Sequence, residues 1–349
     1  MYKFPYLFLF SVALLSGCGK AEPTDQSVLW LDSKHSVVFL DQAHAAEAIL
    51  ADSSDHFFDL VGIVDMCLQM GEATSGAPRD TVLLHYRSWL TREASAFNGA
   101  EQGLVSSAVR RAFNQVNERL RGVFPPEFKV AKIKGQAYGE EAFFTREDVI
   151  FIPEPQLNTN DPEVLASILT HEIWHIISRK NPQVRAGVYA AFGFQRLDAP
   201  LLMDSAFRQR LLLNPDAPEP GWAISMKIHP DSAEQKAVAI IYADSSFIPA
   251  GAPFFESMNM HYFPLIRQDD GWQLAQEGAF MPMSIPDFLT RTGGNTGYII
   301  HPEEIAADNF VLLASDKKEG ISPEGQAALN RLEQALWQWV STARKQRRG

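Results

Sequence analysis

Two histidines four residues apart, with a glutamate directly after the first, are the residues of this chain best suited to do chemistry: His171-Glu172-Ile173-Trp174-His175. On a helix, residues i and i+4 share a face, so both imidazoles can hold one Zn2+ through ring nitrogens. Glu172 lies beside them. It is placed to take a proton from a water activated by the metal and to pass it to a leaving group. The chain holds nine histidines in 349 residues, and at that frequency a chance H-E-x-x-H arises on the order of 1% of the time. A catalytic zinc also needs a third protein ligand and an open position. The extension H-E-x-x-H-x-x-G-x-x-H is broken by Ser178 and Asn181, which excludes a third histidine on the same helix. A carboxylate on a second helix is the next candidate.

The element that must carry the histidines is legible. From Asp161 to Lys180, Val164, Leu165, Ile168, Leu169, Ile173, Ile176 and Ile177 recur at three- and four-residue intervals, the pattern of a largely buried amphipathic helix. Asn160 or Asp161 can cap it, Pro162 suits its first turn and Asn181-Pro182 ends it. A second helix is predicted after Pro302, which places Glu304 and Asp308 one turn apart on one face. Glu303, Glu256 and Asp204 remain open as alternative carboxylate ligands. Glu303-Glu304 also suits the positive end of any helix. His301, Tyr298 and, further upstream, His261-Tyr262 are candidates to donate a hydrogen bond to a developing oxyanion.

With these two segments the chain resembles the gluzincin clan of zinc metallopeptidases, the thermolysin-like arrangement of an H-E-x-x-H helix and a downstream Glu-x-x-x-Asp helix. The resemblance implies that His171, His175 and Glu304 are zinc ligands, Glu172 the general base, and Asp308 the partner that orients His171, since a ligating imidazole usually donates its other N–H to a carboxylate. It also implies peptide-bond hydrolysis of a peptide or protein substrate. The sheet before the zinc helix would then line the cleft with its edge strand and pair with extended substrate, a known mode of peptide recognition. Between His175 and Glu304 lie 128 residues, which implies a sizeable insertion between the ligand helices. Two other readings stay open: a zinc-binding lipoprotein acting as a non-catalytic interaction module, and a zinc hydrolase of a cell-wall amide.

The N-terminus begins with one positive charge, Lys3, and an apolar run too short to span a bilayer, which reads as a secretory signal peptide. Leu15-Ser16-Gly17-Cys18 resembles the bacterial lipobox, implying cleavage after residue 17, acylation of Cys18 and an extracytoplasmic protein held on a membrane by its lipid. Gly19 in place of aspartate points to the outer membrane, facing the periplasm, in a Gram-negative host. Cys67 is then the one cysteine left and cannot form an internal disulfide; its apolar surroundings suit a small buried hydrophobe. Loss of residues 1–17 removes Lys3 alone, so the formal charge passes from −11 to −12. Such a balance disfavours nucleic acid as a partner. The sequence leaves the oligomeric state open.

The expected fold class is α+β. Residues 18–39 read as anchor and tether and 40–125 as a helical scaffold. Residues 126–349 read as a zincin-like catalytic unit, with a mixed, partly β insertion at about 196–296. His35 in the tether and His44, His56 and His85 in the scaffold are scattered without metal-binding spacing. Short strands are expected at 129–133, 142–144 and 149–152, with Thr145-Arg146-Glu147-Asp148 as a turn. The chain closes with a helix from Ser322-Pro323, with Leu329, Leu332, Leu336, Trp339 and Val340 on one face.

Overall fold

The structure is a computed structural model and describes residues 27–116, 120–159, 161–315 and 319–346; the signal segment, Cys18 and Asn160 lie outside them. The chain is α+β. Its first sheet is built from β1 (Ser27–Trp30), β2 (Ser36–Phe39), β3 (Ala94–Ser95), β4 (Glu127–Ile133), β5 (Phe144–Arg146) and β6 (Val149–Pro153), in the order β1-β2-β4-β6-β5 with β3 beside β4. β2, β4 and β6 run parallel, and β5 closes one edge antiparallel to β6. The stretch expected as tether thus contributes two strands, because Val37 and Phe39 alternate with Val38 and bury both faces of β2. Thr145 and Arg146, expected in a turn, belong to β5. The reversal is confined to Glu147-Asp148, where Glu147 has a positive φ of 50°.

Alternation assigns each face of this sheet a different cover. Val37, Phe39, Phe128, Val130, Ile150 and Ile152 pack with α5 (Gly99–Gln115) and α7 (Pro162–Lys180). Val38, Ala131, Ile133, Val149 and Phe151 face the other way. There they meet the N-terminal helices α1 (Gln42–Ala48), α2 (Phe57–Leu60), α3 (Ile63–Met70) and α4 (Arg79–Thr91). The expected scaffold is therefore divided between the two faces of the sheet, with α5 lying directly along α7. Cys67 is buried in the second of these clusters, as its surroundings suggested.

After the short α6 (Glu154–Thr159), α7 begins as predicted. Asp161 accepts hydrogen bonds from Glu163 N and Val164 N, and Pro162 follows it. Asn181 and Pro182 end α7 and start α8 (Pro182–Ala191). The second sheet comprises β7 (Phe194–Arg196), β8 (Leu201–Leu202), β9 (Leu211–Leu212), β10 (Trp222–Met226), β11 (Gln235–Ala243), β12 (Met258–Arg267) and β13 (Trp272–Leu274), with the small helices α9 (Ser205–Arg208) and α10 (Phe254–Ser257) among them. Ile224, Met226, Ala237, Ala239 and Tyr262 join the main core, whereas Ala223, Val238, Ile240, Phe263 and Leu265 form a separate cluster on the far face. The stretch expected as an insertion accordingly shares the main core with α7 and α12. α11 (Pro286–Thr292), α12 (Pro302–Ala314) and α13 (Pro323–Gln346) complete the chain. Leu329, Leu332, Leu336 and Val340 of α13 are buried in the main core, as their spacing predicts. Among the described residues no helix is long and apolar enough to cross a membrane.

Candidate metal centre

α7 and α12 cross with Trp174 and Phe310 in contact, ring centroids 5.6 Å apart and both side chains fully buried. That contact brings the His171–His175 face of α7 against the first turn of α12. His301 caps α12, its Nδ1 accepting a hydrogen bond from Glu303 N at 3.1 Å, and Pro302 occupies the first position. The cap holds the first turn so that Glu303 and Glu304 both enter the interior, 0% and 2% exposed.

The three residues read as ligands converge. Glu304 Oε2 is 3.0 Å from His171 Nε2 and 3.6 Å from His175 Nε2. Ligand atoms about 2.1 Å from a tetrahedral zinc stand roughly 3.4 Å apart, a value these two separations bracket. The other nitrogen of each ring is already engaged. His171 Nδ1–H donates to Asp308 Oδ1 at 2.9 Å, and His175 Nδ1–H donates to Glu303 Oε1 at 3.0 Å. Each ring is thereby held in the tautomer that leaves its Nε2, the nitrogen on the Glu304 side, as the free lone pair that a metal ligand requires. With carboxylate oxygens at both nitrogens, each ring must carry two protons, or one proton and a cation. Burial pulls both imidazoles down. Asp308 and Glu304 outweigh it at His171, which lies well above its ordinary value, and Asp216, Glu304 and Glu303 raise His175 to about 9.

Glu172 is 4% exposed, and its Oε2 is buried without a hydrogen-bond partner among the described residues. Its donor oxygen lies within 4.8 Å of those of both histidines. Burial, reinforced by Asp216 and Glu304 against the pull of the two imidazoles, holds its carboxyl above the usual range. A buried carboxylate with an uncommitted oxygen beside three converging donors suits a cation and a water more readily than a closed hydrogen-bond network. By donor type and separation, these residues fit Zn2+.

The partners of the carboxylates were harder to foresee. Glu303, offered above as an alternative ligand, instead holds His175. Its second oxygen accepts from Ser178 Oγ at 2.7 Å and from Tyr189 OH, with Arg185 nearby; against burial, His175 first, then Arg185 and Tyr189, hold its carboxyl down at about 2. Asp308 accepts from Thr296 Oγ1 as well as from His171. Glu304 Oε1 accepts from Asn214 Nδ2 at 2.6 Å, which leaves Oε2 to the histidines. Asn214 and Asp216 come from the proline-rich loop after β9, and the donor atoms of Asp216, His175 and Glu304 also fall within 4.8 Å of one another. Asn-Pro-Asp in sequence signals only a turn, so nothing local marked these two residues.

Of the oxyanion candidates, Tyr298 lies at the centre, its ring stacked on His171 at 6.2 Å and 45% exposed on the open side. His301 uses Nδ1 in the cap, while its buried Nε2 has no hydrogen-bond partner among the described residues. His261 is not brought to the centre. It alternates with Tyr262 along β12, so its ring faces the outer cluster and bonds Tyr242 OH at 3.0 Å, while Tyr262 points inward to Ile299 O. Asp204 caps α9 by accepting from Phe207 N, and Glu256 is exposed on α10, so neither serves as the third ligand. His35, His44, His56 and His85 each face an aspartate or glutamate at the surface. Comparison of the chain with protein-family models, with curated proteins and with solved structures gave no match.

Proposed function

We propose that this chain is a zinc-dependent hydrolase of peptide bonds with the gluzincin division of labour, held on the extracytoplasmic side of a bacterial membrane by a lipid on Cys18. The observation that carries the reading is the placing of Glu304 Oε2 3.0 Å from His171 Nε2 and 3.6 Å from His175 Nε2, beside the buried, unpartnered oxygen of Glu172. When bound, zinc supplies Lewis acidity, polarising a carbonyl and lowering the pKa of water. Glu172 takes the proton of the attacking water on its free oxygen and delivers it to the departing amine. Tyr298, half-exposed over His171, is the group within reach to donate a hydrogen bond to the carbonyl oxygen as charge develops there. Asp308 and Glu303 keep both imidazoles in the tautomer that offers Nε2.

The placement rests on the signal-like segment and the lipobox-like Leu15-Ser16-Gly17-Cys18. The test is hydrolysis of a mixed peptide library by the zinc-loaded protein beside Glu172→Gln. Loss of the base is expected to lower turnover by about 10²- to 10⁴-fold while zinc stays bound. Turnover equal in both proteins would dismiss Glu172 as the base.

A further inference from the structure

The edge of the first sheet that faces the centre is β5, and it has little to offer a substrate. In an antiparallel pair the residues alternate between those bonded to the neighbour and those whose N–H and C=O point away. Of the three residues of β5, Thr145, opposite Ile150, is the outward one. Both of its backbone groups are taken. Thr145 N–H donates to Asp216 Oδ1 at 2.7 Å, and Thr145 C=O accepts from Arg179 Nη2 at 3.4 Å. Arg179 stands one turn beyond His175 on α7, so this is the side of the strand that looks toward the metal ligands.

The occupant is fixed. Leu213 N donates to the buried Asp65 at 2.9 Å, Pro215 C=O accepts from Arg146 at 2.7 Å, and Asp216 C=O accepts from Arg179 at 3.2 Å. Asn214 and Asp216 are 6% and 5% exposed. Pro215, Pro218 and Pro220 further limit the freedom of the segment. These anchors come from α3, β5 and α7, on both sides of the sheet.

We infer that Leu213–Ala217 permanently occupies the position at which an extended peptide would pair with β5, and that Asp216 is the residue that determines this specificity. The substrate class is then short: a peptide end or a compact amide carrying few residues about the scissile bond, rather than an internal segment of extended polypeptide. The inference rests on the hydrolase reading and deepens it.

Calorimetric binding to the zinc-loaded protein tests it without turnover. The probes are hydroxamates carrying no residue, one residue, or four residues on either side of the zinc-binding group. In the wild type, four residues are expected to improve affinity over one by no more than about threefold, because no strand edge remains for them. Asp216→Gly, which frees Thr145 N–H, is expected to favour the longer probe by about tenfold. A wild-type preference of tenfold or more for the four-residue probes would overturn the inference and leave the hydrolase reading standing. Binding of no hydroxamate by protein that holds zinc would overturn both, since it would mean that no coordination position is open.

Discussion

At the scale of single residues, the centre is determined by which nitrogen each histidine offers. Asp308 on His171 and Glu303 on His175 do the same work from two neighbouring turns of α12. Removing either carboxylate leaves a ring free to rotate or to take the wrong tautomer. Asp308→Ala and Glu303→Gln are each expected to weaken zinc affinity by about 10- to 100-fold without abolishing it, measured by competition with a chromophoric chelator. Unchanged affinity in Glu303→Gln would show that Ser178, Tyr189 and Arg185 hold His175 without it. The sequence made His171, Glu172 and His175 visible by their motif, helical spacing paired His171 with His175 and Glu304 with Asp308, and the resemblance supplied the roles expected of Glu304 and Asp308. Glu303 was ambiguous, since adjacent carboxylates in a first turn are also what the helix dipole favours. Asn214 and Asp216 were invisible, because only tertiary contacts carry a loop from the insertion to Glu304 and Thr145.

At the scale of elements, the site depends on how α7 meets α12 and on how α11 and α13 support that pair. Caps and prolines announced these helices: Asp161-Pro162, His301-Pro302 and Ser322-Pro323 all mark true starts. The second sheet was legible from the sequence only as a partly β insertion, without its faces, which is why His261 was drawn toward the site. Its alternation with Tyr262 has meaning only once one knows which side of β12 meets the core. The end of α11 is closed by Gly293 in a left-handed conformation, φ 87°, and a Cβ there would meet Ala328 Cβ of α13 at 2.5 Å. Gly293→Ala therefore combines backbone strain with a collision between helices. It is expected to cost more than about 1 kcal/mol, seen as a lower denaturant midpoint with an unchanged slope. A neutral outcome would mean that α11 and α13 separate at little cost.

At the scale of the whole molecule, the stretches expected as tether, scaffold and insertion share buried clusters: β2, α5 and the strands β10 to β12 lie in the main core with α7 and α12. β1 and β2 could not be placed from sequence because a four-residue apolar strand carries too little period, and its parallel partner, β4, lies some ninety residues on. Long-range ties of this kind also set the acid response. Glu147, in the β5–β6 turn, accepts from Ser53 and Ser54 of the N-terminal region and from Lys180 at the end of α7. Burial opposes ionisation, but those donors bring its carboxyl down to about 2 from an ordinary 4.5. A carboxyl depressed in the folded state contributes stability that is complete above about pH 4.5 and disappears as the pH falls toward 2. Glu147→Gln is expected to lower stability at neutral pH and to flatten the fall between those limits in acid unfolding followed by circular dichroism. An unchanged acid limb would assign that fall to other carboxylates.

The central claim is that these helices exist to hold one zinc, and metal content tests it most directly. Elemental analysis of the purified protein spanning residues 19–349 is predicted to find one zinc per chain in the wild type and in Glu172→Gln, and none in His171→Ala or Glu304→Gln. Zinc absent from all four after reconstitution, or retained in full by Glu304→Gln, would contradict the account.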